Sequence, residues 1–288
     1  MSVQELYTSV RSYLFRRDRS FELLHLAGIG YPRTLDELPS WVPDFSHRRK
    51  STILGYRDQY ADPNASDARF ERSNEMTITG IYIDEVQEAR EPMPEICRSH
   101  DWVQSKQSRA DMITWLDTSK EWATTFGLGG AQRDLEISFW RTLLCGMPLA
   151  TPFAGKGRIP EEYPDLFEAY MFFFRATVDL PMPPDVEAAA MSAPFEESDA
   201  LVKILMECRG RQLFRTKTGY IGLGPAGLAP DDKVFVIDGT ITPFLIREIG
   251  SESVASAMRG ALVGECYVDG IMEGEGRKQG IKQELVLI

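Results

Sequence analysis

The stretch from Arg215 to Glu275 constrains the fold more than any other part of this chain. It reads RTKTGYIGLGPAGLAPDDKVFVIDGTITPFLIRE and, after a polar gap, ALVGECYVDGIMEGE. Short runs rich in Val, Ile and Phe are cut by Gly, Pro and Asp, which is the pattern of strands joined by tight turns. Strands are expected over 233–237 and 244–248, with Asp238, Gly239 and Pro243 forming the connection. A further strand is expected over 261–269. Strict alternation there puts Leu262, Gly264, Cys266 and Val268 on one face and Val263, Glu265, Tyr267 and Asp269 on the other. A face carrying Glu, Tyr and Asp is either solvated or lines a polar cleft. In a cleft, Glu265 and Asp269 would be acid/base groups, with Tyr267 a hydrogen-bond donor and stacking surface.

The same stretch contains a decoy. Gly222-Leu-Gly-Pro-Ala-Gly227 matches GxGxxG. A dinucleotide loop needs a helix to begin inside the motif so that backbone amides meet a pyrophosphate. Pro225 and Pro230 bracket this segment and a strand follows it, so the glycines are expected to serve a turn. No cofactor is expected.

Upstream, Met76–Val86 is the clearest early strand. Met76, Ile78 and Gly80 share one face, Ile81 and Ile83 the other, and the switch near Gly80 predicts a bulge or bend. Residues 3–28 read as one or two helices, with Ser2 as N-cap and His25 as a packed core histidine. Leu38-Pro-Ser-Trp-Val-Pro-Asp44 cannot be regular helix, because its two prolines force extended geometry. Trp41 is then either a plug that clips the N-terminal helices to the core, or one rim of a pocket shared with Asp44 and His47. Tyr220 and Met272 complete the candidate substrate-binding set. Residues 100–149, 164–178 and 196–210 are expected to be helical, 181–192 a linker, and 48–75 and 150–163 long loops. Residues 274–280 read as a link to a short last strand over 284–288.

The expected fold class is therefore α+β. A helical part, about 1–47 and 100–210, packs on a small antiparallel β-barrel, about 76–88 and 213–288, as a single compact unit.

Composition narrows function. A net charge of −11 over 288 residues argues against nucleic-acid backbones and anionic membranes as partners. No apolar run approaches the roughly 20 residues that span a bilayer, and no secretory signal opens the chain. Cys97, Cys145, Cys208 and Cys266 form no CxxC and read as buried free thiols of a cytoplasmic protein. With only three histidines, no metal site is expected.

Several segments together resemble the region downstream of the effector domain in fungal heterokaryon-incompatibility (HET) domain proteins. They are LPSWVPD at Leu38–Asp44, ITGIYID at Ile78–Asp84, FWRTLLCG at Phe139–Gly146, RQLFRTKTGYIGLGPAG at Arg211–Gly227, then DKVFVI, PFLIRE and LVGECYVDGIMEGE. The resemblance implies a fungal origin and a helical region carrying a small barrel. It also implies that the N-terminal effector domain of such proteins does not precede this segment here, so its function is not carried over. Where the family often reads YVHGIM, this chain has Asp269 in place of the histidine.

Two functions follow. One is a cofactor-independent isomerase or cyclase of fungal secondary metabolism, binding an apolar small molecule between helices and barrel. The other is a non-catalytic regulatory or protein-interaction module. The self-contained chain and its many aromatic residues tilt the sequence-level expectation toward the enzyme. An enclosed apolar cavity would favour the enzyme; a packed interior with exposed apolar surface would favour the module.

Overall fold

The computed structural model describes residues 2–18, 20–47, 54, 68–72, 74–94, 106–125, 135–146, 175, 208, 210–250 and 257–288. The expected helices over 164–178 and 196–210, the 181–192 linker, the 150–163 loop and most of 48–75 lie outside these residues, apart from single positions. The chain divides into two compact units, Met1–Ala89 with Gln212–Ile288, and Arg90–Arg211. The N-terminal helix thus shares a unit with the strands and not with the helices of 100–210.

The first unit is built on a sheet whose strands are β1 (Arg69–Arg72), β2 (Glu75–Ala89), β3 (Arg211–Thr216), β4 (Ile221–Pro225), β5 (Lys233–Ile237), β6 (Phe244–Glu248), β7 (Ala257–Glu265), β8 (Tyr267–Val268) and β9 (Ile281–Leu287). The long strand β2 organises it. Gly80, Ile81 and Tyr82 pair with β5 along one edge and with β9 along the other. Hydrogen-bonded neighbours then run β2, β5, β6, β7, β9 and back to β2, a closed, barrel-like circuit of five strands. An odd circuit cannot alternate direction throughout, so one neighbouring pair must be parallel. That pair is β7 with β9. The sheet is therefore mixed and, at nine strands, larger than the small antiparallel barrel expected. β3, β4 and β8 continue outward from the far end of β2.

The apolar runs of β5 and β6 show no polar alternation because both faces are buried. Phe235, Ile237, Phe244, Ile246, Leu262, Leu285 and Leu287 pack in one core with Trp41 and Phe15. Their neighbours Val234, Val236, Leu245 and Val263 pack in a second core with Phe214 and Val268. The parity switch in β2 has the same origin. Met76 and Ile78 enter the first core, and Ile81 and Val86 the second. The bulge itself falls slightly later than Gly80, at Ile83, where Tyr82 and Asp84 pair with successive residues of β5.

The expected strand over 261–269 is broken. Leu245 and Ile246 pair with Gly264 and Leu262, so Val263 is an extra residue. A Cβ on Gly264 would meet the Tyr31 ring at 2.5 Å, which excludes any side chain at this turn. Beyond the bulge, Cys266 leaves the ladder to bond the Pro243 carbonyl, and Tyr267–Val268 pair with β4. Val263, Cys266 and Val268 consequently share the second core, while Leu262 is in the first. The GxGxxG segment forms β4 and a turn, with no helix. A Cβ on Gly222 would lie 2.3 Å from the Phe214 ring, so this glycine permits close packing of β3, β4 and β8.

The N-terminal segment wraps the circuit. Helix α1 (Val3–Asp18) opens with a reciprocal capping box: Glu5 N donates to Ser2 Oγ at 3.1 Å, and Ser2 N to Glu5 Oε2 at 2.7 Å. The expected second helix is only a 3₁₀ turn, Glu22–Leu26, because the chain turns onto β7 directly afterwards. There Ile29 N and Gly30 N donate to the Leu262 and Val263 carbonyls. The proline-bracketed segment acts as a clip. Ser40 N donates to the Ile288 carbonyl at 2.8 Å, and Ser40 Oγ accepts from Leu262 N at 2.9 Å. Ser40 thereby ties the C-terminal end of β9 to β7. The expected link at 274–280 contains a short helix, α4 (Gly276–Gln279), and β9 begins earlier than 284.

In the second unit, α2 (Lys106–Thr125) and α3 (Leu135–Leu143) fall where aromatic spacing predicts helices. Met112, Trp115, Leu116 and Ser119 are buried on α2, and Phe139, Trp140 and Leu143 on α3. Cys145 and Gly146 then take positive φ, and Gly146 N returns to the Arg141 carbonyl at 2.9 Å, closing α3. Among the described cysteines, Cys145, Cys208 and Cys266 are buried and outside any disulfide. Cys97 lies outside the described residues.

Candidate functional site

The most chemically loaded cluster in the first unit lies inside it. Glu265 is the last residue of β7, and the bulge at Val263 turns its side chain inward. His25 sits in the 3₁₀ turn that packs on the same strand. His25 Nδ1 lies 2.8 Å from Glu265 Oε2, and Thr242 Oγ1 is 3.3 Å from the same nitrogen. The Leu54 amide donates to Glu265 Oε2 at 3.2 Å. The Phe244 ring lies against the imidazole, with centroids 5.1 Å apart. His25 is 2% exposed, and Glu265 and Thr242 are sealed at 0%. A carboxylate in apolar surroundings is tolerable only when paired and hydrogen-bonded, and this arrangement supplies both. Its product is a joint between the N-terminal segment, Leu54 and β7.

The other candidates are dispersed. Asp269 and Tyr267 are buried, on β8 and the turn after it, and do not share one face with Glu265 because the strand breaks between them. Asp269 N bonds the Ile221 carbonyl, and Tyr267 pairs with Leu223. Tyr220 lies in the second core with its amide on Thr216 Oγ1, and Met272 is buried. Trp41 is fully buried, its indole N–H donating to the Asn74 carbonyl at 3.2 Å and its ring 5.6 Å from that of Phe70. His47 is exposed.

Asp44 binds backbone. Its Oδ2 accepts from Thr34 N at 2.6 Å and Leu35 N at 3.1 Å, and its Oδ1 from Ser46 N at 3.0 Å. Partial burial pushes its pKa up, but the bonds from Ser46, Thr34 and Leu35 outweigh this and hold it below the usual aspartate value. The sign for stability follows. Asp44 stabilises the fold above the unfolded-chain pKa near about 4. That contribution is lost as pH falls through the lower folded value. Acid titration followed by circular dichroism should therefore show Asp44→Ala less stable than wild type at neutral pH, with the difference shrinking below about pH 4.

Sequence reasoning missed Asp232 and Arg247. Asp232 is 1% exposed and takes a bidentate pair from Arg247 Nε and Nη2, both at 2.8 Å, while its Oδ2 also accepts from Ala229 N. Arg247 Nη2 further binds the Gly227 carbonyl. The motif residues of DDKVFVI and PFLIRE thus hold the turn after β4. An open groove of about 600 Å³ runs along α1, lined by Gln4, Thr8, Ser12, Glu37, Phe70 and Asn74 among others. It contains none of the sequence-derived candidates. No group of three or more metal-ligating side chains occurs among the described residues, and none of the described helices is long and apolar enough to cross a membrane.

A mixed, barrel-like sheet with inward-turned polar joints and a wrapped N-terminal segment defines an α+β protein by architecture. Residues 188–288 match the family model described as the Het-6 beta-barrel domain, so the C-terminal third of the chain carries that domain. The chain is also 33% identical over 84 residues to "Heterokaryon incompatibility protein 6, OR allele" of Neurospora crassa. That match covers 29% of this chain and 12% of the relative. The relation to fungal heterokaryon-incompatibility proteins stands on these two matches, and neither names an enzyme. No solved structure matches the chain.

Proposed function

We propose that this chain is a non-catalytic regulatory or protein-interaction module of the heterokaryon-incompatibility type, acting in the cytoplasm. The observation that carries this reading is Glu265. Glu265, read from the sequence with Asp269 as an acid/base candidate, is sealed at 0% exposure and engaged by His25 and the Leu54 amide. Asp44 is likewise engaged by three backbone amides. The family relation supports the same reading, and three buried cysteines outside disulfides fit a reducing compartment.

The test is complementation of a deletion strain in the source fungus. A chain carrying Asp269→Asn and Tyr267→Phe, checked for native circular dichroism, should restore the heterokaryon phenotype as fully as wild type. Loss of complementation by a normally folded double variant would return those polar groups to a catalytic role and overturn the proposal.

A further inference from the structure

Helix α1 buries two residues fully, Arg11 and Phe15. Phe15 belongs to the first core, with its ring centroid 4.8 Å from that of Phe21 and 5.7 Å from that of Phe70. Arg11 opposes it. The residue is 0% exposed, and its Nε, Nη1 and Nη2 have no hydrogen-bond partner among the described residues. Burial pulls its pKa down to about 10, which still leaves it charged near neutral pH. A cation deprived of water without a counter-charge works against the packing that buries it. The contact described for the guanidinium is the face of the Phe15 ring, 5.8 Å from the centroid. Phe15 lies one turn along the same helix, so that contact requires α1 to be helical and not docked.

The remaining ties of α1 are thin. The bonds of Ser2 with Glu5, Thr8 with Gln4 and Arg17 with Asp18 all close within the helix. Tyr7 packs in the first core and on the Phe45 ring, itself 45% exposed, and the exposed Arg16 lies 5.4 Å over the Phe70 ring. An open groove separates the Thr8 and Ser12 flank from Asn74. The next segment is held differently. The Ile29 and Gly30 amides bond β7, and Ser40 bonds both Leu262 and Ile288. The change from loosely to firmly tied chain falls between Asp18 and Glu22.

We infer that α1 is a releasable cap: it leaves the sheet as one helix, pivoting between Asp18 and Glu22, because release rehydrates the Arg11 guanidinium in exchange for the Phe15 contacts. The 3₁₀ turn, the clip and the strands stay folded. Release bares Phe21 and Phe70, the apolar seat beneath Phe15. Segments with few buried apolar contacts are the ones that open ahead of global unfolding. The inference follows from packing alone and stands apart from the interaction-module reading.

Native-state hydrogen exchange of the full chain tests it. In wild type, the amides of Val10–Phe15 should be far less protected than those of β5, which report global unfolding. Arg11→Met keeps much of the stem and removes the charge, so protection of α1 should rise about tenfold or more. Arg11→Lys retains a cation and should bring no such gain. Phe15→Ala should lower protection of α1 more than that of β5. The inference is overturned if wild-type α1 is as protected as β5, or if Arg11→Met leaves α1 protection unchanged or lower. It is equally overturned if Arg11→Lys protects α1 as well as Arg11→Met does, since charge is then not the cause. Equal losses at α1 and β5 in Phe15→Ala would mean that α1 opens only with the whole unit, which also overturns it.

Discussion

Replacing Glu265 with Leu should destabilise the fold by about 3–5 kcal/mol, because it strands His25 and the Leu54 amide in a dry interior. His25→Leu should cost a similar amount by leaving the carboxylate without its imidazole. The double variant should be less destabilised than the two single losses added, since removing both partners of a buried pair leaves fewer orphaned groups. Chemical denaturation of the four proteins closes the cycle. The sign matters for function as well as stability. Catalytic groups are held in poorly compensated positions, and removing one tends to leave stability unchanged or raised. A stable Glu265→Leu variant would therefore contradict the structural role drawn from its burial and its 2.8 Å contact with His25.

Trp41→Ala should be of the same order, about 3–5 kcal/mol, the range for emptying a buried tryptophan site. The indole is among the largest fully buried side chains. It packs with Phe15, Phe70, Met76 and Leu285, which come from α1, β1, β2 and β9. Pro39 and Pro43 hold the backbone on either side, so collapse into the cavity is restricted and the loss stays near the top of the range. The clip also carries Ser40, the hydrogen-bonded tie between Ile288 and Leu262. Loosening Trp41 should thus expose β7 and β9 together. Hydrogen exchange in Trp41→Ala should show lost protection at both strands. A variant that destabilises the protein but leaves β9 protected would detach the clip from this seam.

Local chemistry explains which features were legible. Lys233–Ile237 and Phe244–Glu248 are apolar runs between turn residues, and they form strands at the expected positions. The Ser2 cap likewise depends on neighbours within a few residues, whereas the Pro39–Pro43 clip, expected to be extended, forms a turn in which Val42 N donates to the Pro39 carbonyl at 3.0 Å. The strand over 261–269 fails for a reason no alternation pattern contains. Tyr31 occupies the space over Gly264, and the resulting bulge at Val263 reassigns every side chain beyond it. His25 and Glu265 each stood as a lone ionisable residue in an apolar run. That is the signal that could have paired them, because two such groups are buried at low cost only together.

By itself, the sequence determined the α+β class, the strand-rich C-terminal region and its kinship, because these depend on periodicity, turn chemistry and motif order. Only the tertiary structure decided the chemistry. It joined His25 to Glu265 across 240 positions in a buried contact. It also turned α1 so that Arg11 and Phe15 are buried while Val3, Leu6, Val10 and Tyr13 are exposed. Neither outcome is local. The energy of a buried charge or an exposed apolar face depends on which distant segment lies against it, and that is set when the five-strand circuit closes.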